Sequence, residues 1–312
     1  MVTKKDPPFF SVIMNCHNCA SFLKEAIQSV YKQDFDDWEI IFFDNASTDS
    51  STEIASSFDD RTKVFSNPDF LSLGQARNKA ISKAKGNNIA FLDCDDIWLE
   101  NKLSSQFDLI KGSTQKCDRF ALCYSDAYRI DETGLSLPNY SFDHEMFDGR
   151  VFEKLLLDDF IPMSSCVINK EVFHEVGGFD TAFSYVEDWD LWLKVAMRHP
   201  INRYNSPLLK IRLHSDNASR NILAHAEEMH FLVKKFVSNG KISKAQNFAI
   251  NLTKARLLFA KTVNDKANVI DFLTSLFKLT LFLLVAPRVL LLLTRKFLKP
   301  KMFKVLLKRL RG

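Results

Sequence analysis

Between Asn87 and Lys102 the sequence reads NNIAFLDCDDIWLENK. An apolar run that suits a buried strand ends in three carboxylates within four positions, Asp93, Asp95 and Asp96. Like charges this close need a cation or hydrogen-bond donors to offset them. An Asp-x-Asp at a strand end offers hard oxygen ligands to Mg2+ or Mn2+, and Mg2+ usually completes its shell with water and substrate phosphates. That is the chemistry of a nucleotide-diphosphate site. The structural alternative is that Asp95 or Asp96 caps a helix over IWLENKLSSQF. Two more polar clusters follow apolar runs: NCHN (Asn15–Asn18) after FSVIM, and DNASTD (Asp44–Asp49) completing WEIIFFD. An acidic pair, Glu187-Asp188, opens the Trp-rich helical pattern EDWDLWLK.

The elements that must position these residues alternate. FSVIM, WEIIFFD, TKVFS and NIAFLD read as strands. Between them lie helical spacings: Phe22, Leu23, Ala26, Ile27 and Val30; then STEIASSF; then LGQARNKAISKAKG, closed by Gly86. This order predicts a doubly wound, mostly parallel sheet flanked by helices, with ligands beyond the carboxyl ends of the strands. The three polar clusters fall on that one rim. Further on, RFALCYSDAYRID reads as one strand. The stretch from Ser164 to Pro200 reads as strand, short helix, Gly-Gly turn, loop and a longer helix from Glu187. NRYNSPLLKIRLH supplies one or two closing strands, and the chain beyond Asn221 is helical.

The bulk numbers permit one large domain with an appendage. The chain has 312 residues, 46% hydrophobic and 26% charged, with only 9 Gly and 9 Pro, which excludes a low-complexity chain. The N-terminus lacks the pattern of a signal peptide. Cys16 and Cys19 form a C-x-x-C without a second pair at zinc spacing, so the six cysteines read as small buried residues in a reducing cytosol. Charge is uneven. Ser275 to Gly312 holds ten Lys/Arg and no acid, against a net charge of +4 for the whole, so the body is mildly acidic and the tail strongly basic.

Three stretches together resemble glycosyltransferase family 2: Phe9 to Ser51, Leu73 to Trp98 and Val172 to Lys194. The resemblance runs from about Phe9 to Ser219. It implies a GT-A fold and inverting transfer of a sugar from a nucleotide-diphosphate sugar, a UDP-sugar being the first choice. By position it implies that Asn15 and His17 meet the base. Asp44-Asn45 stands where the family usually has Asp-Asp reading base and ribose. Arg77 contacts the nucleotide. Asp95 is the leading ligand for Mg2+ or Mn2+, with Asp93 and Asp96 touching metal or ribose. Asp188, beside Glu187, is the general base, and Trp189 and Asp190 shape the acceptor pocket. Arg212 and His214 approach the diphosphate or the metal, with His214 a candidate ligand. The competing readings are a nucleotide-sugar-binding homologue without turnover and a phosphate-sensing signalling module.

The expected organisation is a GT-A domain over 1–220, divided into a nucleotide-sugar half to about 110 and an acceptor half beyond it. A helical extension over 221–274 and a membrane-associating tail over 275–312 follow. In the tail, Leu279 to Leu293 is an apolar run broken by Pro287-Arg288, shorter than the roughly 20 residues a spanning helix needs. KMFKVLLKRLRG sets Phe303, Leu306, Leu307 and Leu310 on one helical face with cations around the other, the pattern of a helix lying on an anionic surface. The expected acceptor is a glycan, lipid-linked, in surface polysaccharide or lipopolysaccharide assembly at the inner face of the cell membrane. No nucleic-acid partner is expected, and the oligomeric state is open.

Overall fold

A computed structural model describes residues 6–114, 120–214, 222–237 and 243–263. The first half is a strict alternation: β1 Phe10–Cys16, α1 Ala20–Tyr31, β2 Trp38–Asn45, α2 Ser51–Ser56, β3 Thr62–Asn67, α3 Leu73–Ile81 and β4 Asn88–Phe91. There follow β5 Ile97–Trp98, α4 Lys102–Thr114, β6 Leu122–Ser125, β7 Tyr128–Asp131, β8 Ser136–Leu137, α5 Phe152–Leu155 and β9 Val167–Asn169. The rest comprises α6 Lys170–Glu175, α7 Glu187–Arg198, β10 Ile201–Tyr204, β11 Leu209–Leu213, α8 Ile222–Val237 and α9 Lys244–Val263.

A seven-stranded sheet runs in the order β10-β6-β9-β4-β1-β2-β3. β1 pairs parallel with β2 and β4, β2 with β3, and β6 with β10. Only β9 runs antiparallel, between β4 and β6. Every residue of β2 is buried, as helices on both faces require, which is why WEIIFFD shows no period-two alternation. A smaller sheet, β5-β11-β7-β8, lies beside it. The core joins Phe10, Val12 and Met14 of β1 to Ile40 and Phe42 of β2 and to Leu23, Ile27 and Val30 of α1.

Contacts divide the chain into two units. The first comprises Met1–Ser141, Met146–Phe152 and Phe160–Ser215; it holds both sheets and every predicted site residue. The second gathers Phe142–Glu145, Glu153–Asp159 and Asp216–Gly312. Within it α8 packs on α9, where His230 Nδ1 lies 3.1 Å from Thr253 Oγ1, and His144 pairs with Asp158 at 3.0 Å. No helix among the described residues is long and apolar enough to cross a membrane. The tail over 275–312 lies outside the described residues.

Four local expectations are corrected. RFALCYSDAYRID is two strands in different sheets, not one. The chain breaks at Asp126, whose Oδ1 accepts the N–H groups of Ala127 (2.7 Å) and Ser141 (3.1 Å). Neither Asp95 nor Asp96 caps a helix, because β5 intervenes before α4 begins at Lys102. α3 ends at Ile81, so Gly86 is not its cap. It is glycine because a Cβ there would come within 2.8 Å of the Ser11 backbone nitrogen. Cys16 and Cys19 are joined as a disulfide and are not a pair of free thiols.

Candidate functional site

The rim at the carboxyl ends of β1, β2 and β4 is built from turns that hold one another. Asn18 and Ala46 adopt positive φ, 55° and 60°, a costly choice for residues with a Cβ. The cost is met by lacing. The Asn18 N–H donates to Ser47 Oγ (2.9 Å), and Asn18 Oδ1 accepts the Thr48 N–H (2.8 Å). His17 is exposed, and its ring is fixed by Nδ1 donating to the Asn45 carbonyl at 2.9 Å. That bond leaves Nε2 of the neutral ring as an acceptor. Asp44 is buried and accepts the Ser47 N–H through both oxygens, at 3.3 and 3.4 Å.

Two of the residues expected at the nucleotide differ in their surroundings, one amide engaged by the protein and the other not. Asn45 pairs its amide with the Leu71 backbone, Nδ2 donating to the carbonyl and Oδ1 accepting the N–H, both at 2.9 Å. It therefore anchors the loop after β3. That loop carries Phe70, 66% exposed and edge-on to the His17 ring at 4.7 Å. Sequence reasoning missed Phe70, for nothing in NPDFLSLG marks one aromatic as rim-facing. The second is Asn15, whose Oδ1 and Nδ2 are both sealed from solvent without a protein partner. Such an amide costs about 1–3 kcal/mol unless a ligand or water meets it.

The acid loop alternates. Asp93 and Asp95 are partly exposed, while Cys94 and Asp96 point inward and are buried. Asp96 Oδ1 accepts the Arg212 N–H at 3.0 Å, so it ties the loop before β5 to β11. Burial, then the charges of Asp95 and Asp93, push Asp96 well above the usual carboxylate range. Burial also raises Asp95, with Asp93 adding and the His214 hydrogen bond opposing. His214 Nε2 lies 2.8 Å from Asp95 Oδ2. That contact brings His214 to the acid loop and braces the Asp95 carboxylate. Arg212 is buried too. Its Nη2 pairs with Glu25 at 2.6 Å, its Nε donates to the Asp95 carbonyl, and its guanidinium covers the Phe22 ring at 4.5 Å.

Arg77, expected at the nucleotide, is buried inside this machinery. Nη1 meets Glu187 Oε1 at 2.6 Å, Nη2 meets Asp93 Oδ1 at 3.1 Å, and the Phe179 ring lies 5.6 Å from its Cζ. It thus joins the acid loop to the start of α7. The Gly-Gly-Phe turn seats that helix. Gly177 and Gly178 take φ of +86° and +65°, Asn78 brackets Phe179 by hydrogen bonds to its N–H and carbonyl, and Lys194 Nζ donates to the Gly178 carbonyl. Burial, with Asp188 adding and Arg77 opposing, raises Glu187 to about 7. Asp188 is half-buried and raised by burial, with Arg77 opposing, and its Oδ1 accepts the Trp189 N–H at 2.7 Å. Trp189 and Asp190 are both buried, and Asp190 pairs with Lys194 at 2.6 Å.

These residues suit a hard divalent cation. Asp93 and Asp95, with side chains 44% and 27% exposed, each have one oxygen held by a neighbour, Arg77 and His214, and lie close enough for the Asp93 charge to raise Asp95. The four expected ligands do not assemble a complete protein cage. Among the described residues, the one group of three ligating atoms within 4.8 Å of one another is Cys16, Cys19 and Cys94. Two carboxylates with the remaining positions open is the Mg2+ or Mn2+ pattern.

Comparison with known proteins accords with this arrangement. Residues 11–176 match the family model for glycosyl transferase family 2. An uncharacterized glycosyltransferase of Rickettsia felis is 31% identical over 76% of this chain, and the chain spans about two fifths of that relative's length. WfgD of Escherichia coli, a UDP-Glc:alpha-D-GlcNAc-diphosphoundecaprenol beta-1,3-glucosyltransferase, is 27% identical over 75% of this chain and 88% of its own. In fold the chain resembles Staphylococcus aureus TarS 1-349 solved with UDP-GlcNAc, at TM-score 0.63 and 17% identity, covering 86% of this chain and 80% of that one. It also resembles the Pyrobaculum calidifontis mannosyltransferase PcManGT, solved with GDP-Man and Mn2+, at TM-score 0.60 and 15% identity over 98% and 88%. The two-sheet α/β architecture is that of the GT-A neighbours, and with the match of more than half its length this chain belongs to glycosyl transferase family 2.

Proposed function

We propose that this chain is an inverting glycosyltransferase that moves a sugar from a nucleotide-diphosphate sugar to a glycan hydroxyl. The observation that carries the reading is Arg77. One buried guanidinium holds both Asp93, on the loop suited to a cation and diphosphate, and Glu187, beside the half-buried Asp188. Donor-holding acids and a base are thereby set in one rigid network.

In the proposed reaction Asp188 accepts the acceptor hydroxyl's proton as that oxygen attacks the anomeric carbon. The bond from that carbon to the diphosphate oxygen breaks on the opposite face, and the nucleoside diphosphate leaves with the electron pair. A single displacement of this kind inverts the anomeric centre. Glu187 has Oε1 committed to Arg77 at 2.6 Å. Its role is to orient Arg77 against Asp93. Asp93 and Asp95 would hold Mg2+ or Mn2+, which supplies charge neutralisation to the departing diphosphate. His17 and Asp44 frame the base. UDP is the preferred nucleotide, supported by the UDP-glucose named for WfgD and the UDP-GlcNAc bound by TarS. The WfgD name also supports a glycan on a lipid diphosphate carrier as acceptor, in surface polysaccharide or lipopolysaccharide assembly. The basic tail would hold the enzyme at the inner membrane face where such an acceptor resides.

A panel of UDP- and GDP-sugars scored by thermal shift tests the donor half of this reading. A UDP-sugar should stabilise the protein in Mn2+ and lose most of that effect in EDTA or in Asp95→Ala. Equal stabilisation by Asp95→Ala in EDTA would refute the cation role, and no stabilisation by any nucleotide sugar would refute the donor reading.

A further inference from the structure

Three sulfurs converge just beneath the rim, and the reaction proposed above uses none of them. Cys16 ends β1, Cys19 precedes α1, and Cys94 lies between Asp93 and Asp95. Their Sγ atoms all lie within 4.8 Å of one another. Cys16 and Cys19 are bonded, while Cys94 is a buried free thiol whose Sγ donates to the Asn15 carbonyl at 3.2 Å. The inward turn of Cys94 follows from the alternation that aims Asp93 and Asp95 outward. The pair also has weak hydroxyl contacts, Ser47 Oγ at 3.8 Å from Cys16 and Ser51 Oγ at 3.7 Å from Cys19.

Thiol–disulfide exchange within the trio is disfavoured. Cys94 is buried and its Sγ is engaged with the Asn15 carbonyl, which holds it as a thiol bystander to the bonded pair. Reduction changes the chemistry. Two equivalents of an external thiol convert the Cys16–Cys19 disulfide to two thiols and leave as their own disulfide. Such reduction is the expected state in a compartment kept reducing. Three sulfurs then face one point. Metal–sulfur bonds of about 2.3 Å require sulfurs about 3.8 Å apart in a tetrahedral site, a spacing within reach of side-chain rotation here.

We propose that the reduced protein binds one thiophilic cation, of the Zn2+ or Cu+ class, through Cys16, Cys19 and Cys94. On binding, each thiol gives its proton to solvent and its sulfur to the metal, and a fourth position is left for water or an external ligand. Thiolates select these soft ions, whereas the outward carboxylates select Mg2+ or Mn2+, so the two sites lie back to back on one loop without sharing a preferred ion. Such an ion would tie the Asn15–His17 turn to the Asp93–Asp95 loop. The proposal does not depend on the donor reading.

The test uses full-length protein, reduced with a phosphine that is then removed without air, and Cd2+ as the spectroscopic probe. Titration should raise a thiolate-to-cadmium charge-transfer band in the ultraviolet with an end point at one equivalent, unchanged by a large excess of Mg2+. Protein kept oxidised should give no band. Cys94→Ser should lose one thiolate's share of the band and at least about tenfold in affinity, since even partners outside the ligand shell cost that much. Cys19→Ser, at a half-buried turn position, gives the same reading should Cys94→Ser fail to fold. Absence of the band in reduced wild type, a titration by either folded variant identical to wild type, or displacement by Mg2+ would each overturn the proposal.

Discussion

At the residue scale, Asn45 shows how a departure from a family pattern can be explained by its neighbours. The position suits an amide because one oxygen and one N–H2 pair with the Leu71 backbone. Asn45→Asp replaces the donor with a second acceptor facing a carbonyl. It should cost about 1–3 kcal/mol in stability, read from the denaturation midpoint, because a buried acceptor is left facing another. A variant as stable as wild type would mean the loop is held elsewhere. The sequence marked Asp93, Asp95 and Asp188 as candidates because like-charged residues at element ends are legible in one dimension. It did not reveal that Arg77, Arg212 and Asp96 face inward. Their partners Glu187, Glu25 and the Arg212 backbone lie about a hundred residues or more away, and no spacing records such pairs.

At the scale of elements, the βαβ order was readable because buried parallel strands appear as continuous apolar runs between helical periods. The break between β6 and β7 was not, since Asp126 acts through two N–H groups that only the fold brings to it. α4 holds another residue that its pattern hides. Lys102 is fully buried, donates to Gln106 Oε1 at 2.6 Å and lies 4.0 Å from the Trp98 ring centroid. Burial lowers its pKa from 10.5 to about 7. Between those values the unfolded chain carries a proton that the folded chain lacks, so this group adds stability as pH rises from about 7 toward 10.5. Lys102→Met should flatten that trend. The wild-type minus variant slope should approach 1.4 kcal/mol per pH unit at about pH 8.5–9, measured by urea melts. Parallel curves for the two proteins would show Lys102 titrating normally.

At the scale of the molecule, the second unit and the basic tail raise the question of where the enzyme works. Each basic residue near an anionic leaflet adds about 1 kcal/mol, and ten lie in the tail. Deleting 275–312 should abolish sedimentation with anionic vesicles at low salt while leaving the donor-induced thermal shift intact, because every proposed site residue lies in the first unit. Equal sedimentation of both forms would place membrane attachment elsewhere or nowhere. The central claim is that Asp188 is the base of a sugar transfer set up by the Asp93–Arg77–Glu187 network. Its most direct test is nucleoside diphosphate release with saturating donor, Mn2+ and a glycan–lipid diphosphate acceptor, comparing wild type with Asp188→Asn. We predict acceptor-dependent release by wild type and a loss of at least ~10²-fold in kcat for Asp188→Asn with donor affinity nearly unchanged. A variant that turns over at the wild-type rate, or one whose defect disappears at saturating donor, would contradict the account.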